Sequence, residues 1–410
     1  MSALGWAGQM NTAPIYLDHH ATTPVDPRVL SAMLPYFSEQ FGNASSRVHA
    51  HGRAARRAVD TAAANVAALI GARPDELVFT SGATESNNLA LLGTALGRES
   101  DGKHVVSVRT EHKAVLDTLR SLEQRGWRVT LLPVDRDGLV EPRHVAEALA
   151  DDTTLVSVML TNNEVGVVQD IAAIGALTRA RGITFHCDAA QGLGYLPFSV
   201  AELPVDLVSM SAHKMYGPKG VGGLYIRRSL RNQGLPRPQL HGGGHQEGFR
   251  SGTLDVPGIV GFGAAADCMK LKGQDEAHRL ATFRDRLERQ LLDGLDEVRV
   301  NGGASVRHPG NLNMSFGYVD GPTLLLEVCK TASVSSGSAC SSVEAGPSYV
   351  LDAMGVPKDW AAASLRFGLG RGTTEAQIAR VGSAVIEAVT KLRAASPLYA
   401  AKRSGTKIDW

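Results

Sequence analysis

Between residues 76 and 227 the chain alternates short apolar runs with longer amphipathic ones, and this alternation restricts the fold more than any other feature of the sequence. The runs ELVFTS (76–81), HVVSVR (104–109), WRVTLLPV (127–134), TLVSVML (154–160), ITFHCD (183–188), VDLVSMS (205–211) and GGLYIR (222–227) have the length and β-branched content of strands. Several are apolar on both faces, as strands become when helices cover each side of a parallel sheet. Helical stretches such as ESNNLALLGTAL, HKAVLDTLRSLEQRG, RHVAEALA and DIAAIGALTRARG fall between them. The expectation is an α/β fold with a large, mainly parallel seven-stranded sheet domain and helices on both faces.

After the glycine-rich HGGGHQEGFRSGT (241–253) the pattern changes to a long helical region, about 255 to 296, broken near KLKGQDE. A smaller α+β unit follows, with VRVNG, NLNMSF, PTLLLEVCK, SYVLDAMG, SLRFGLG and a closing helix TEAQIARVGSAVIEAVTKLRAA. The expected division is residues 1–30 as an N-terminal segment packing with the small domain, 31–265 as the large domain and 266–410 as the small domain.

With 43% hydrophobic residues and a net charge of +1 over 410 residues, the chain buries a large core and lacks the clustered cations of an obligate nucleic-acid binder. The arginines of HGRAARRAVD (51–60) read as the solvated face of a helix running on to Ile70. Its four cysteines are spaced too widely for a zinc site or a disulfide framework, which fits a reducing compartment; Cys187, Cys268 and Cys329 read as small buried hydrophobes. The first fourteen residues lack a basic start, and no segment approaches the roughly 18 apolar residues of a membrane helix, so the expectation is a cytoplasmic protein.

Ligands of open parallel sheets bind beyond the carboxyl ends of the strands, and here those positions are polar. In SGATESNN (81–88), Ala83 and Thr84 open a helix whose free N–H groups suit a phosphate, although a plain turn and helix cap would read the same way. Glu111 and His112 follow the second strand, TNNEVG with Asn163 follows the fourth, and Asp188 and Gln191 follow the fifth. In SMSAHKMYGPKGVGGLY (209–225), Lys214 stands at a strand end after Ser211 and His213 and before a glycine-rich turn, a setting for an amine held against a carbonyl ligand. A lysine that forms a Schiff base, a carboxylate that keeps a pyridine nitrogen protonated (Asp188) and a phosphate-binding helix start are together the groups that pyridoxal phosphate requires. Farther on, SSGSACSS (335–342) sets Cys340 among five serines with no apolar side chain to bury. Packing does not explain that thiol, and the composition suits a loop that moves.

The chain resembles the cysteine desulfurases of the iron-sulfur-cluster and nitrogen-fixation type, within the class V, fold-type I pyridoxal-phosphate enzymes. The resemblance spans nearly the whole chain, from YLDHHATTPVDP through FGNASS, SGATESNN, EHKAVL, NNEVGVVQDI, HCDAAQ, SAHKMYGPKG, GGGHQEGFRSGT and SSGSACSS to SLRFGLGR. It implies that Lys214 carries the cofactor, Asp188 pairs with the pyridine nitrogen and His112 stacks on the ring and moves protons. It also implies that Ala83, Thr84, Ser211 and His213 hold the phosphate, with Thr253 reaching it from the second subunit of a homodimer that shares its active sites. Asn163 and Gln191 would contact substrate or cofactor, Arg366 would clamp the substrate carboxylate, and Asn43 would lie near that carboxylate. The implied reaction converts L-cysteine to L-alanine and leaves the sulfur as a persulfide on Cys340 for an acceptor protein, an iron-sulfur scaffold or a thiolation enzyme. A cationic neighbour such as protonated His112 would favour the attacking thiolate.

Two features depart from the family pattern. Gly346 stands where many members carry a glutamate directly before the Pro-Ser pair, and the tail RSGTKIDW has no match to the tail by which scaffold-dependent relatives dock their partner. A class V aminotransferase, or a cysteine or selenocysteine lyase, would need Lys214, Asp188 and Arg366 but not Cys340. A non-enzymatic sulfur carrier would need neither Lys214 nor Asp188. The histidines of HGGGH and the pair His19 and His20 lack a third metal ligand at diagnostic spacing.

Overall fold

The structure, a computed structural model, describes residues 13–336 and 348–405. It divides into two compact units, one of residues Thr22–Asn163 and Val167–Ala277, the other of the residues up to Ala21, Glu164–Gly166 and the chain from His278 onward.

Strand β1 (Ile15–Tyr16) belongs to the second unit, and the next seven strands build the first: β2 (Leu77–Thr80), β3 (His104–Val108), β4 (Arg128–Leu132), β5 (Thr153–Ser157), β6 (Thr184–Asp188), β7 (Leu207–Ser211) and β8 (Gly222–Ile226). They form one sheet in the order β2-β8-β7-β6-β5-β3-β4, in which β8 alone runs antiparallel to its neighbours. Every residue of β3 and of β5 through β8 is buried, which is why these strands read as continuous apolar runs, whereas the edge strand β4 is largely open. The helix Ala83–Gly97 packs along the sheet with two buried sides. Leu89 and Ala90 join Val78, Leu207 and Leu224, while Leu91 and Ala95 join Val105, Leu119 and Leu155. A helix buried on both sides shows little amphipathic contrast, and it accounts for the apolar run LALLGTAL. By contrast, the helix Ala50–Ile70 is amphipathic, with Arg53, Arg56 and Arg57 exposed and Ala55, Val59 and Val66 buried.

In the second unit β1 pairs in parallel with β11 (Ala332–Ser333). A separate sheet has the order β12-β13-β10-β9, formed by β9 (Val298–Val300), β10 (Asn311–Phe316), β12 (Ser335–Ser336) and β13 (Ser364–Gly368).

The break expected near KLKGQDE does not occur: one helix runs unbroken from Val256 to Gly294. A Cβ on Gly273 would lie 2.1 Å from the Gly194 carbonyl oxygen, so this glycine serves close packing of the helix rather than its termination. The boundary between the units falls inside that helix, after Ala277, where the sequence had suggested residue 265. At the amino end, residues 22–30 lie in the sheet unit, not with the small unit as the sequence division had them. Cys187 is fully buried, but Cys268 and Cys329 are only partly so, which corrects their reading as core residues.

Gly222 shows how tightly the sheet edge is drawn. A Cβ there would meet the Met210 carbonyl oxygen at 2.5 Å and Gly82 Cα at 2.6 Å, both backbone atoms. Gly222→Ala is therefore expected to lower the unfolding free energy by about 1–3 kcal/mol through overpacking. Urea denaturation checks this, and an unshifted midpoint would show that the turn relaxes freely.

Candidate functional site

The strand register assembles one polar edge. Thr80 pairs with Gly222, Gly222 with Ser211, and Asp188 with Ser209, so the carboxyl ends of β2, β7 and β6 lie side by side. Two residues past β2, Gly82 takes φ 146°, a conformation that glycine alone adopts readily, and the helix Ala83–Gly97 starts with no side-chain cap. The leading N–H groups at Ala83 and Thr84 thus have no side chain of their own helix to satisfy them, as an anion site requires. Ser211 ends β7, and His213 and Lys214 occupy the single 3-10 turn that continues it.

Asp188 ends β6 and is 5% exposed. Both of its oxygens accept hydrogen bonds, Oδ2 from Asn87 Nδ2 at 2.7 Å and Oδ1 from the Ala190 N–H at 2.9 Å, which fixes the carboxyl plane. Around it the titratable groups are driven toward their uncharged forms. Burial, with Asp188 adding to it, pushes the Glu111 carboxyl well above the usual range, and Glu111 Oε1 accepts the Met159 N–H at 2.5 Å. Burial likewise pushes the Cys187 thiol well up, which leaves it inert. His186, held between Ser157 Oγ at 2.8 Å and Ser209 Oγ at 2.9 Å, is lowered by burial to about 4.

The turn carrying Lys214 is clamped from the amino-terminal segment. Thr23 donates its N–H (3.0 Å) and its hydroxyl (2.9 Å) to the His213 carbonyl oxygen, and the same hydroxyl accepts the Tyr216 N–H at 2.9 Å. The Asp26 N–H completes the clamp on the Tyr216 carbonyl oxygen at 3.0 Å. Tyr216 has φ 65°, an uncommon left-handed conformation for such a residue, and the bonds on both of its backbone polar groups hold it there. His213 Nδ1 lies 3.1 Å from Thr22 Oγ1, and burial with the neighbouring charge of Lys214 lowers its pKa to about 4.

His112 caps the helix Lys113–Glu123, its Nδ1 accepting the Ala114 N–H at 3.1 Å. Burial lowers its pKa, Asp188 working against the shift and Lys214 with it. A neutral ring with Nδ1 as acceptor carries its proton on Nε2. Burial at this edge thus disfavours the charge that a cationic His112 would carry. Asn163 and Gln191, 5% and 8% exposed, follow β5 and β6 at the same edge. Asn43 lies instead in an exposed turn, its Oδ1 accepting the Ser45 N–H at 2.8 Å, and Thr253 is exposed as well.

In the second unit Arg366 lies in the middle of β13 and is 1% exposed. It stands opposite Ser335 in the β12–β13 pairing, while Asp18 bridges to Gly368 two residues on, so all three side chains share one face. Arg366 Nη2 donates to Asp18 Oδ1 at 2.8 Å and to Ser335 Oγ at 3.1 Å, and Ser335 Oγ donates to Asp18 Oδ1 at 2.8 Å. Glu164 accepts from Ser348 Oγ, and Ser348 caps the helix Tyr349–Ala353. Cys340 lies outside the described residues.

Sequence reading overlooked Asn87, Thr23 and Asp18. Asn87 falls one turn after Ala83, on the side of the helix that meets the sheet, a signal present in the 3.6-residue period. Thr23 and Asp18 act across 190 and 348 residues, and no local pattern announces them.

The histidines set a pH dependence. An unfolded histidine titrates near 6.5, and folded His186 near 4, so between these values the unfolded chain binds more protons and stability falls as the pH falls. One such group contributes a slope of up to about 1.4 kcal/mol per pH unit. Urea unfolding of His186→Asn between pH 5 and 6.5 is expected to show a slope shallower by about 1 kcal/mol per pH unit, since the unfolded histidine is only part protonated over that range; an unchanged slope would contradict a buried neutral His186.

Against known proteins, the family model "Aminotransferase class-V" matches residues 15–381. The chain is 55% identical over 400 residues to the cysteine desulfurase IscS of Anaeromyxobacter sp. (strain Fw109-5), covering 97% of this chain and 98% of that protein. It is 49% identical to the cysteine desulfurase IscS of Neisseria meningitidis serogroup C (strain 053442), with the same coverage. Among solved structures, a NifS-like protein superposes with a TM-score of 0.85 at 35% identity, over 92% of this chain and 100% of that one. A second, SspA in complex with cysteine, superposes at 0.77 with 34% identity, over 87% and 98% of the two chains. A family model matched over residues 15–381, and identity of about half over nearly the whole chain, show that this chain belongs to the class V aminotransferase family.

Proposed function

We propose that this chain is a cysteine desulfurase that converts L-cysteine to L-alanine and passes the sulfur through Cys340 to an acceptor protein. The observation that carries the reading is the single sheet edge that holds the Lys214 turn, Asp188 and the uncapped start of the helix Ala83–Gly97, within a chain about half identical to named cysteine desulfurases.

These residues fit pyridoxal phosphate. The uncapped N–H groups at Ala83 and Thr84, with Ser211 and His213, would hold the phosphate; Asp188, fixed through both oxygens, would face the pyridine nitrogen; Lys214 would hold the aldehyde carbon. When bound, the cofactor supplies an electron sink for the bonds to the substrate Cα. Asn87 holds the carboxylate against rotation, and Thr23 holds the lysine turn, so both groups are set before substrate arrives. The neutral His112, with its proton on Nε2, faces proton transfer as a donor. Arg366 takes the substrate carboxylate, and Asn163 and Gln191 contact substrate or cofactor. The Cys340 thiolate attacks the substrate sulfur; as the carbon–sulfur bond breaks, its electron pair stays with carbon, which gains a proton to give alanine. The sulfur remains as a persulfide, and no external oxidant is needed.

The working form in this reading is a homodimer. Leu34, Phe37, Phe41 and Val48 of the sheet unit are 56–91% exposed, apolar side chains that a second subunit would cover, and Thr253 is exposed as its role toward a second subunit requires. A cytoplasmic setting agrees with the described residues, where no helix is long and apolar enough to cross a membrane.

Single-turnover assays with L-cysteine test the chemistry. Wild type is expected to yield alanine and a persulfide on Cys340; Lys214→Ala neither; and Cys340→Ser to keep the bound cofactor's yellow colour but release little alanine and carry no persulfide. Alanine and sulfide released at the wild-type rate by Cys340→Ser would replace the desulfurase with an ordinary lyase. For the dimer, sedimentation of the holoenzyme should give twice the chain mass of 43.4 kDa. A monomer during turnover would overturn the shared site.

A further inference from the structure

Asp18 is engaged with the very group assigned to the substrate carboxylate. We propose that Asp18 is the resident counter-ion of Arg366 and limits how tightly the amino-acid carboxylate is held, so that product can leave. The inference rests on Arg366 being the carboxylate site.

A guanidinium cannot shed its charge at any ordinary pH, and Arg366 is 1% exposed. Such a cation requires an anion beside it whether or not substrate is bound. Asp18 supplies one at 2.8 Å, from a side chain that is itself 20% exposed. Gly368 lets the Asp18 segment come this close, since a Cβ there would stand 2.9 Å from the backbone nitrogens of both His19 and His20. Close by, the Tyr16 hydroxyl donates to the Asp18 backbone oxygen, and the His19 ring lies 2.9 Å from the Gly368 carbonyl oxygen.

A substrate carboxylate arriving at Arg366 therefore meets a cation already shared with a fixed anion. Repulsion between the two carboxylates weakens its hold. That suits the reaction, because carboxylate binding is the same for cysteine and for alanine and does nothing for the chemical step. Ser335 separates geometry from charge. Its hydroxyl and Arg366 Nη2 both donate to Asp18 Oδ1, and an asparagine oxygen could accept the same two bonds without the charge.

The test is calorimetric titration of the holoenzyme with L-alanine. Asp18→Asn is expected to lower the Kd about tenfold, as removal of a like charge a few ångströms from the ligand carboxylate implies at a partly solvated site. L-Alaninamide, which has no carboxylate, should bind both proteins within about twofold. Asp18→Ser, also uncharged, is measured alongside so that misfolding of one variant leaves the other. A Kd for L-alanine unchanged or raised in the folded variants overturns the role of Asp18. If Arg366→Ala alone binds L-alanine as wild type does, the carboxylate assignment itself fails; if it binds weakly while Asp18→Asn leaves affinity unchanged, only the counter-ion role is lost.

Discussion

The hydrogen bond from Asn87 to Asp188, 2.7 Å long and sealed from solvent, is the point on which the large unit turns. It joins the helix that lies along the sheet to the strand end on which the carboxylate stands. Its two partners are far apart in sequence, yet the position of each follows from burial. The helix is apolar on two sides and must lie over the central strands, which brings its first turn to the carboxyl edge; β6 is buried throughout, which brings Asp188 to the same edge. The uncapped helix start and the fixed carboxylate are therefore two consequences of one packing solution.

Desolvation then sorts the titratable groups at that edge. Glu111 and Cys187 are driven up, and His186, His213 and His112 down, each away from its charged form. A site packed with histidines, a glutamic acid and a thiol could have carried several competing charges. Burial removes that competition, because an uncharged donor or acceptor with fixed partners orients a ligand without drawing ions to it. His112 illustrates the difference between residue type and state: histidine suggested a cation, whereas burial, with the charge of Lys214 adding to it, lowers the pKa of this helix-capping ring.

The sheet strands and the helices between them were legible because their physics is local: strands buried on both faces must be short, apolar and β-branched, and the helices fill the gaps between them. The strand-end residues could be picked out for the same reason, since the carboxyl edge follows from the strands. What escaped were long-range relations. Gly273 resembles a helix breaker in isolation and is explained only by Gly194, 79 residues earlier and against its face. ATTP is expected from the sequence to pack with the small domain, until Thr23 is seen gripping His213 and Tyr216 on either side of the lysine. The split of residues 1–30 between two units has the same origin, because Asp18 follows β13 while Thr23 follows the lysine turn.

The small unit solves a different problem, that of holding the two ends of the segment that bears Cys340. Ser335 at the near end is bound by Asp18 and Arg366; Ser348 at the far end caps its own helix by accepting the Leu351 N–H at 3.1 Å and donates its hydroxyl to Glu164. Glu164 is itself fixed, its backbone oxygen accepting from Asn311 Nδ2 at 3.3 Å and Asn313 Nδ2 at 3.2 Å. Gly166 two residues on takes φ 76° with Asn311 packed where a Cβ would lie, so this short insertion is committed to β10. The carboxylate on which Ser348 is fastened comes from Glu164, which directly follows Asn163 in the sequence, and the one on Ser335 is shared with Arg366. The near end at Ser335 is thus tied by one hydrogen bond to Arg366, and the far end at Ser348 by one hydrogen bond to Glu164, the residue after Asn163.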